Sequence, residues 1–225
     1  MRIKELKIFT SNLTDQKEFY TNILDFDIYA QSHDAIFFKI GNTILKIVKK
    51  QGATPYHFAI NIPANKETEA LAWLQSRVEI LKEGNNEVHN FAAWNAKAMY
   101  FYDNDKNIVE LIARRNLGNE SIEKFDQNLF LEVSEIGLAT DDIGKQVYKL
   151  NKVMGVNIFD GGLDRFCAIG NEHGLLICIN KEIKDWYPTN DKAFASEFEI
   201  VVEVDKKLFR IMYESEELNI LDKVE

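Results

Sequence analysis

The sequence predicts an α+β protein of tandem βαβββ modules, their strands forming a curved mixed-sheet cup with the helices outside. Three observations predict it: a gap-free internal repeat, strand-like alternation at the start of each copy, and a helical apolar stripe directly after it. The segment IKELKIFTSNLTDQKEFYTNILDFDI matches VSEIGLATDDIGKQVYKLNKVMGVNI, so that Glu5 falls on Glu135, Leu6 on Ile136, Thr10 on Thr140, Leu24 on Met154 and Ile28 on Ile158. Ile40-Gly41-Asn42 returns as Ile169-Gly170-Asn171, and a third copy runs from YHFAINI at Tyr56 to NIVELIAR at Asn107.

Each copy opens with a strand, because Leu6 and Ile8, Phe58 and Ile60, or Ile136 and Leu138 alternate onto one face. A helix follows in each. Its N-cap candidates are Asn12 or Thr14, Asn65, and Asp141 or Asp142, whose side chains can accept from the free N–H groups of a first turn. The apolar positions then recur at helical spacing: Tyr20, Ile23 and Leu24; Ala70, Leu74 and Val78; Ile143, Val147, Leu150 and Met154. Short strands rich in Phe, Tyr, Ile and Val come next, separated by Gly41-Asn42, Gly84-Asn85-Asn86 and Asp103-Asn104-Asp105.

Four strands with one helix leave a sheet face bare, and two modules side by side curve into a cup lined by alternate residues. The expected organisation is a cup of two paired modules, 1–52 and 55–115, within residues 1–118. Residues 130–225 then hold a third module, a C-terminal strand at 198–204 and a degenerate fourth module. The third module lacks an obvious partner, so the tail or a second subunit in a homodimer is expected to cover it.

Composition bounds the function. With 46% hydrophobic and 28% charged residues among 225, and no run of ~20 apolar residues, the chain is read as soluble and cytoplasmic, with no membrane partner. The opening Met-Arg-Ile-Lys-Glu interleaves charges with apolar residues and offers no secretion signal. Cys167 and Cys178 lie in apolar runs without metal spacing and read as core residues. A net charge of −9 disfavours nucleic acid, although Lys46 with Arg114 could take a small anion. Phosphate-loop, Gly-x-Ser-x-Gly, CxxC and HExxH motifs are all missing from the sequence.

IKELKIFTSNLTDQKEFYTNIL, with Phe19-Tyr20 closing its helix, YHFAINI with its His, and YFYDNDKNIVELIAR with its turn before a Glu resemble the vicinal-oxygen-chelate superfamily of glyoxalases, bleomycin-resistance proteins and extradiol dioxygenases. The resemblance is clear over residues 1 to 115 and weaker over 131 to 180. It implies a glyoxalase-like fold, with ligand positions at Glu5, Lys46, His57 and Glu110. Lysine is no ligand, which leaves Glu5, His57 and Glu110 for a divalent Mn, Fe, Ni, Co or Zn ion. Strand parity puts these three on the face opposite Leu6, Phe58 and Leu111.

The implied function is a metal-dependent lyase, isomerase or ring-cleaving dioxygenase that chelates vicinal oxygens of a small molecule, with Lys46 or Tyr100 as acid or base. Phe38, Trp94, Tyr102 and Arg114 are the expected pocket residues. The rival reading is a metal-free sequestering protein of the bleomycin-resistance type, in which Lys46 pairs with an acid. The positions in unit three are Glu135 and Ile177, which argue against a second metal site. His33, His89 and His173 read as solvated, with His89 the exception because its loop, with Trp94, can close over the cup. The turn differs from the family pattern at Asn104 and Lys106, a departure read as structural.

Overall fold

The computed structural model describes residues 1–222. Unit one comprises β1 (Arg2–Thr10), α1 (Leu13–Glu18, continued by a wider turn over Phe19–Ile23), β2 (Ile28–Gln31), β3 (Ala35–Ile40) and β4 (Thr43–Lys49). Unit two comprises β5 (His57–Ile62), α2 (Glu67–Gln75), β6 (Ile80–Leu81), β7 (His89–Phe91), β8 (Ala96–Tyr102) and β9 (Ile108–Arg114). Unit three has β10 (Glu132–Thr140), α3 (Ile143–Met154), β11 (Ile158–Gly161), β12 (Phe166–Asn171) and β13 (Gly174–Asn180). The tail is a meander of β14 (Phe198–Val204), β15 (Lys207–Glu214) and β16 (Glu217–Asp222).

Capping follows the side-chain logic at two helices. Asn12 accepts from Asp15 N–H, and Asp142 accepts from Lys145 N–H at 2.8 Å. Asn65 is spent elsewhere, exchanging hydrogen bonds with the backbone of Ser121, so α2 begins after Lys66 without a side-chain cap.

The pairing of modules differs from the expected one. One sheet runs β16-β15-β14-β1-β4-β3-β2 and joins unit one to the tail, while the other runs β11-β12-β13-β10-β5-β9-β8-β6 and joins units two and three. The tail is thus three strands rather than one, and it lies antiparallel against β1, with Leu6 opposite Ile200. Unit three is partnered by unit two, with Phe58 opposite Ile136, so the bare face that suggested a homodimer is not there. The physical reason is that β1 and β10 are repeats of one another, and each offers an equivalent free edge; strand patterning cannot say which edge β5 will take.

Both sheets turn their helix-facing sides into one continuous core, with Leu6, Ile8, Phe58, Leu111, Ile136 and Leu138 all buried. Cys167 and Cys178 face each other across β12 and β13 in this core as free thiols. The opposite faces diverge. On the unit-one sheet β4 alternates between buried and part-exposed residues, and its open face carries the Lys46–Glu5, Lys7–Glu199 and Arg210–Glu199 ion pairs. On the other sheet β5 and β9 are buried throughout, because their open face is floored by Ala59, Ala98, Ala139 and Ala168 and roofed by Trp186. Small floor residues leave a hollow where long paired side chains fill the other sheet.

The turn before β9 explains the departure at Lys106. This residue adopts φ +62°, a left-handed conformation that glycine holds without strain. Asp103 secures the turn: its Oδ1 accepts from the N–H of Asp105 and Asn107, and its Oδ2 from the Asn107 amide and the Tyr20 hydroxyl. No helix among the described residues is long and apolar enough to cross a membrane.

Candidate functional site

Register builds the site. On adjacent strands β9, β5 and β10, Ala59 stands opposite Glu110 on one side and opposite Glu135 on the other, so the two carboxylates share a face and lean together over a methyl group. His57 lies two residues before Ala59 and projects from the same face. Its Nε2 is 3.6 Å from Glu110 Oε2 and 3.9 Å from Glu135 Oε2. All three are enclosed, with 6% of His57 and 3% of each glutamate exposed.

The electrostatics of this trio are unusual. His57 Nδ1–H donates to the Ile108 carbonyl at 3.1 Å, so the other ring nitrogen presents a lone pair to two carboxylates. Three acceptors therefore face one another within 4.8 Å and need a cation or proton between them. Burial holds His57 near pKa 4, with the Lys184 charge adding to the depression against the Ile108 hydrogen bond. Burial pushes Glu110 well above the carboxylate range, and the neighbouring Glu135 pushes it further. Burial also raises Glu135, against the opposing Arg114 charge.

Each member is held from behind. Arg114, fully buried, pairs with Glu135 through Nη2 and donates from Nε to Asn61 Oδ1 at 3.1 Å. Tyr100 stands across from Glu110 on β8, and its hydroxyl interacts with that carboxylate. Outer partners of this kind orient metal ligands and fix their protonation. Among the described residues these three side chains fit a divalent ion: an imidazole lone pair and two carboxylates, converging and supported.

Above the trio lies a cavity of about 380 Å³. Phe91, Trp94, Tyr100, Phe166, Trp186 and Tyr187 wall it, and Ile112, Ile177 and Ile179 line it as well. Trp186 reaches down from the segment after β13 until its ring lies 5.2 Å from the His57 ring. Only glycine at position 137 permits this, since a Cβ there would stand 2.7 Å from two Trp186 ring carbons. Tyr187 ties the same segment across the cup by donating to Glu83 at 2.8 Å and contacting His89 Nδ1 at 2.5 Å.

The expected site residues separate. His57, Glu110, Tyr100 and Trp94 meet at the cavity, and Arg114 lies beneath Trp94, 5.3 Å from its ring, without lining it. Glu5 and Lys46 do not join them; they pair with each other on the opposite sheet, because unit one faces the tail. Phe38 is a core residue packed on Tyr20 and Phe26, since it points to the helix side of β3. Tyr102 borders a neighbouring hollow with Pro55 and Lys106 and donates to Asp191. His89 is buried rather than solvated, and His173 contacts Glu132 at 2.6 Å.

Glu135 is the residue sequence reasoning set aside, although its repeat partner Glu5 pointed to it. Trp186, Tyr187 and Lys184 lie in an irregular segment whose sequence carries no pattern for a cup.

No protein-family model matches the sequence, and no curated protein matches it. Among solved structures, a candidate dioxygenase from Bacillus subtilis superposes over 99% of this chain and 84% of its own, at 14% identity and a TM-score of 0.64. A V278E mutant of glyoxalase I from Zea mays superposes over 96% and 89%, at 12% identity and 0.58. The chain carries the vicinal-oxygen-chelate fold. Within that fold the paired βαβββ units of residues 55–180 form the closed cup, and the unit-one sheet is its open, ion-paired counterpart.

Proposed function

We propose that this chain is a metal-dependent small-molecule enzyme of the glyoxalase or dioxygenase type, acting as a lyase, isomerase or ring-cleaving dioxygenase, with His57, Glu110 and Glu135 holding the ion. The observation that carries this reading is the convergence of an imidazole nitrogen and two carboxylates, all buried, within 4.8 Å of one another, with His57 Nε2 held 3.6 and 3.9 Å from the two carboxylates rather than hydrogen-bonded to either. A Mn, Fe, Co, Ni or Zn ion held by His57, Glu110 and Glu135 would supply Lewis-acid chemistry to adjacent oxygens of a substrate.

The chain's own residues do the rest. The Ile108 carbonyl fixes the His57 tautomer, Arg114 orients Glu135, and Ile177, at the fourth ligand position of the paired units, leaves that side apolar. Tyr100 is held far above its usual pKa by burial and by Glu110 and Glu135, so it keeps its proton and serves as a donor rather than a base. Aromatic walls exclude water and offer flat faces to an apolar ligand. Lys46, whose pairing with an acid favoured the metal-free sequestering reading, is outside the cavity and lends that reading no support at this site.

Thermal unfolding of the metal-free protein with each ion in turn tests the reading. At least one ion should raise Tm, since a ligand at one hundred times its Kd stabilises the native state by about 2.7 kcal/mol. The shift should vanish in His57→Ala. No shift with any ion, or an undiminished shift in His57→Ala, overturns the proposal.

A further inference from the structure

Charges around the cavity are unevenly satisfied. Asp160 lines it, but both its oxygens are taken: Oδ2 accepts from Trp94 Nε1 at 2.6 Å and Oδ1 from Gly161 N–H at 2.7 Å. His57, Glu110 and Glu135 belong to the ion site. Lys184 is different. It lines the same cavity, half withdrawn from water, and its ammonium donates only to the adjacent Asp185 carbonyl, at 3.3 Å. Exposed Arg165 stands close enough to disfavour the Lys184 charge further. Among the described residues neither cation forms a salt bridge, although the chain carries a net charge of −9 and most of its other basic side chains near the sheets are paired.

A half-buried, unmatched ammonium beside an aromatic-walled cavity is costly unless something anionic answers it. We propose that Lys184 is a specificity subsite for an anionic group, so that the ligand is a flat, aromatic or similarly apolar molecule bearing a carboxylate or comparable anion besides its chelating oxygens. This rests on the cavity being the ligand site of the proposed enzyme. The chemistry divides cleanly: oxygens to the ion group, the ring to Trp94, Trp186 and Tyr100, and the anion to Lys184. Lys184 also gives such an anion a local attraction at the cavity of a chain whose net charge is −9.

The test uses three probes with the full chain: 3,4-dihydroxybenzoate, which has both features, 4-methylcatechol, which lacks the anion, and benzoate, which lacks the oxygens. Binding is read from quenching of Trp94 and Trp186 fluorescence, in parallel with the Tm shift on adding Mn. With Mn bound, 3,4-dihydroxybenzoate should bind at least about tenfold more tightly than 4-methylcatechol, as one partly desolvated charge pair provides. Lys184→Gln should remove that preference with an Mn-induced Tm shift still present, and Lys184→Arg should restore it.

Equal affinities for the two catechols in the presence of a normal Mn shift overturn the anion subsite and leave the metal reading standing. Lys184-dependent benzoate binding without any Mn shift does the reverse. Should Lys184→Gln fail to fold, Lys184→Met, which keeps the apolar stem, and added salt should each narrow the preference in its place, and a preference indifferent to both overturns the subsite.

Discussion

At the scale of single residues, the difference between Glu5 and Glu135 carries the chemistry. The two occupy matching positions in the repeat, and in both β1 and β10 the pairing slips next to them, at Ile3/Glu5 and Val133/Glu135. One meets Lys46, the other meets His57 and Glu110. Glu135→Gln is therefore expected to abolish any ion-induced Tm shift, and Glu5→Gln to leave it within about 0.5 kcal/mol of wild type, as for an exposed ion pair. Equal losses in calorimetry would mean that the site spans both sheets. Asp103 gives a second expectation. Burial holds its pKa at about 6, above the ordinary 3.8, despite the hydrogen bonds it accepts. The folded chain thus binds the extra proton between these values, so the stability from this group is present below pH 3.8 and is lost as pH rises through 6. Asp103→Asn should flatten that part of the curve of unfolding free energy against pH.

At the scale of elements, the segment after β13 is what closes the cup. Trp186 packs on Gly137, and Tyr187 ties to Glu83 and His89 on the far wall. Gly137→Ala should displace Trp186, destabilise the chain by about 1–3 kcal/mol and make that indole more accessible to acrylamide, with the ion-induced Tm shift retained. Unchanged quenching would show that β10 gives way instead. The strands themselves were legible: alternation in β1, β5 and β10 placed Leu6, Phe58 and Ile136 in the core, where they are. The Trp186 segment was not, because its conformation is set by contacts with β10 and β7 and no local period marks it.

At the scale of the whole molecule, two cups of the same plan share one core and have opposite characters. The unit-one sheet depends on the tail, whose Phe198, Ile200, Val202 and Ile211 are buried against it. Deleting residues 198–225 should expose this core face and the β1 edge, giving an aggregating chain in size-exclusion chromatography. A soluble, cooperatively unfolding product would show that the cup of units two and three folds alone.

The amino-acid order by itself determined the local terms of this protein: strand and helix periods, the face of each strand, the repeat, and the chemistry available at His57 and Glu110. Tertiary structure alone decided which modules meet. Every first strand offers the same edge, so its choice of partner depends on long-range packing of the alanine floor, the aromatic roof and the tail. That choice sent Glu135, and not Glu5, to His57.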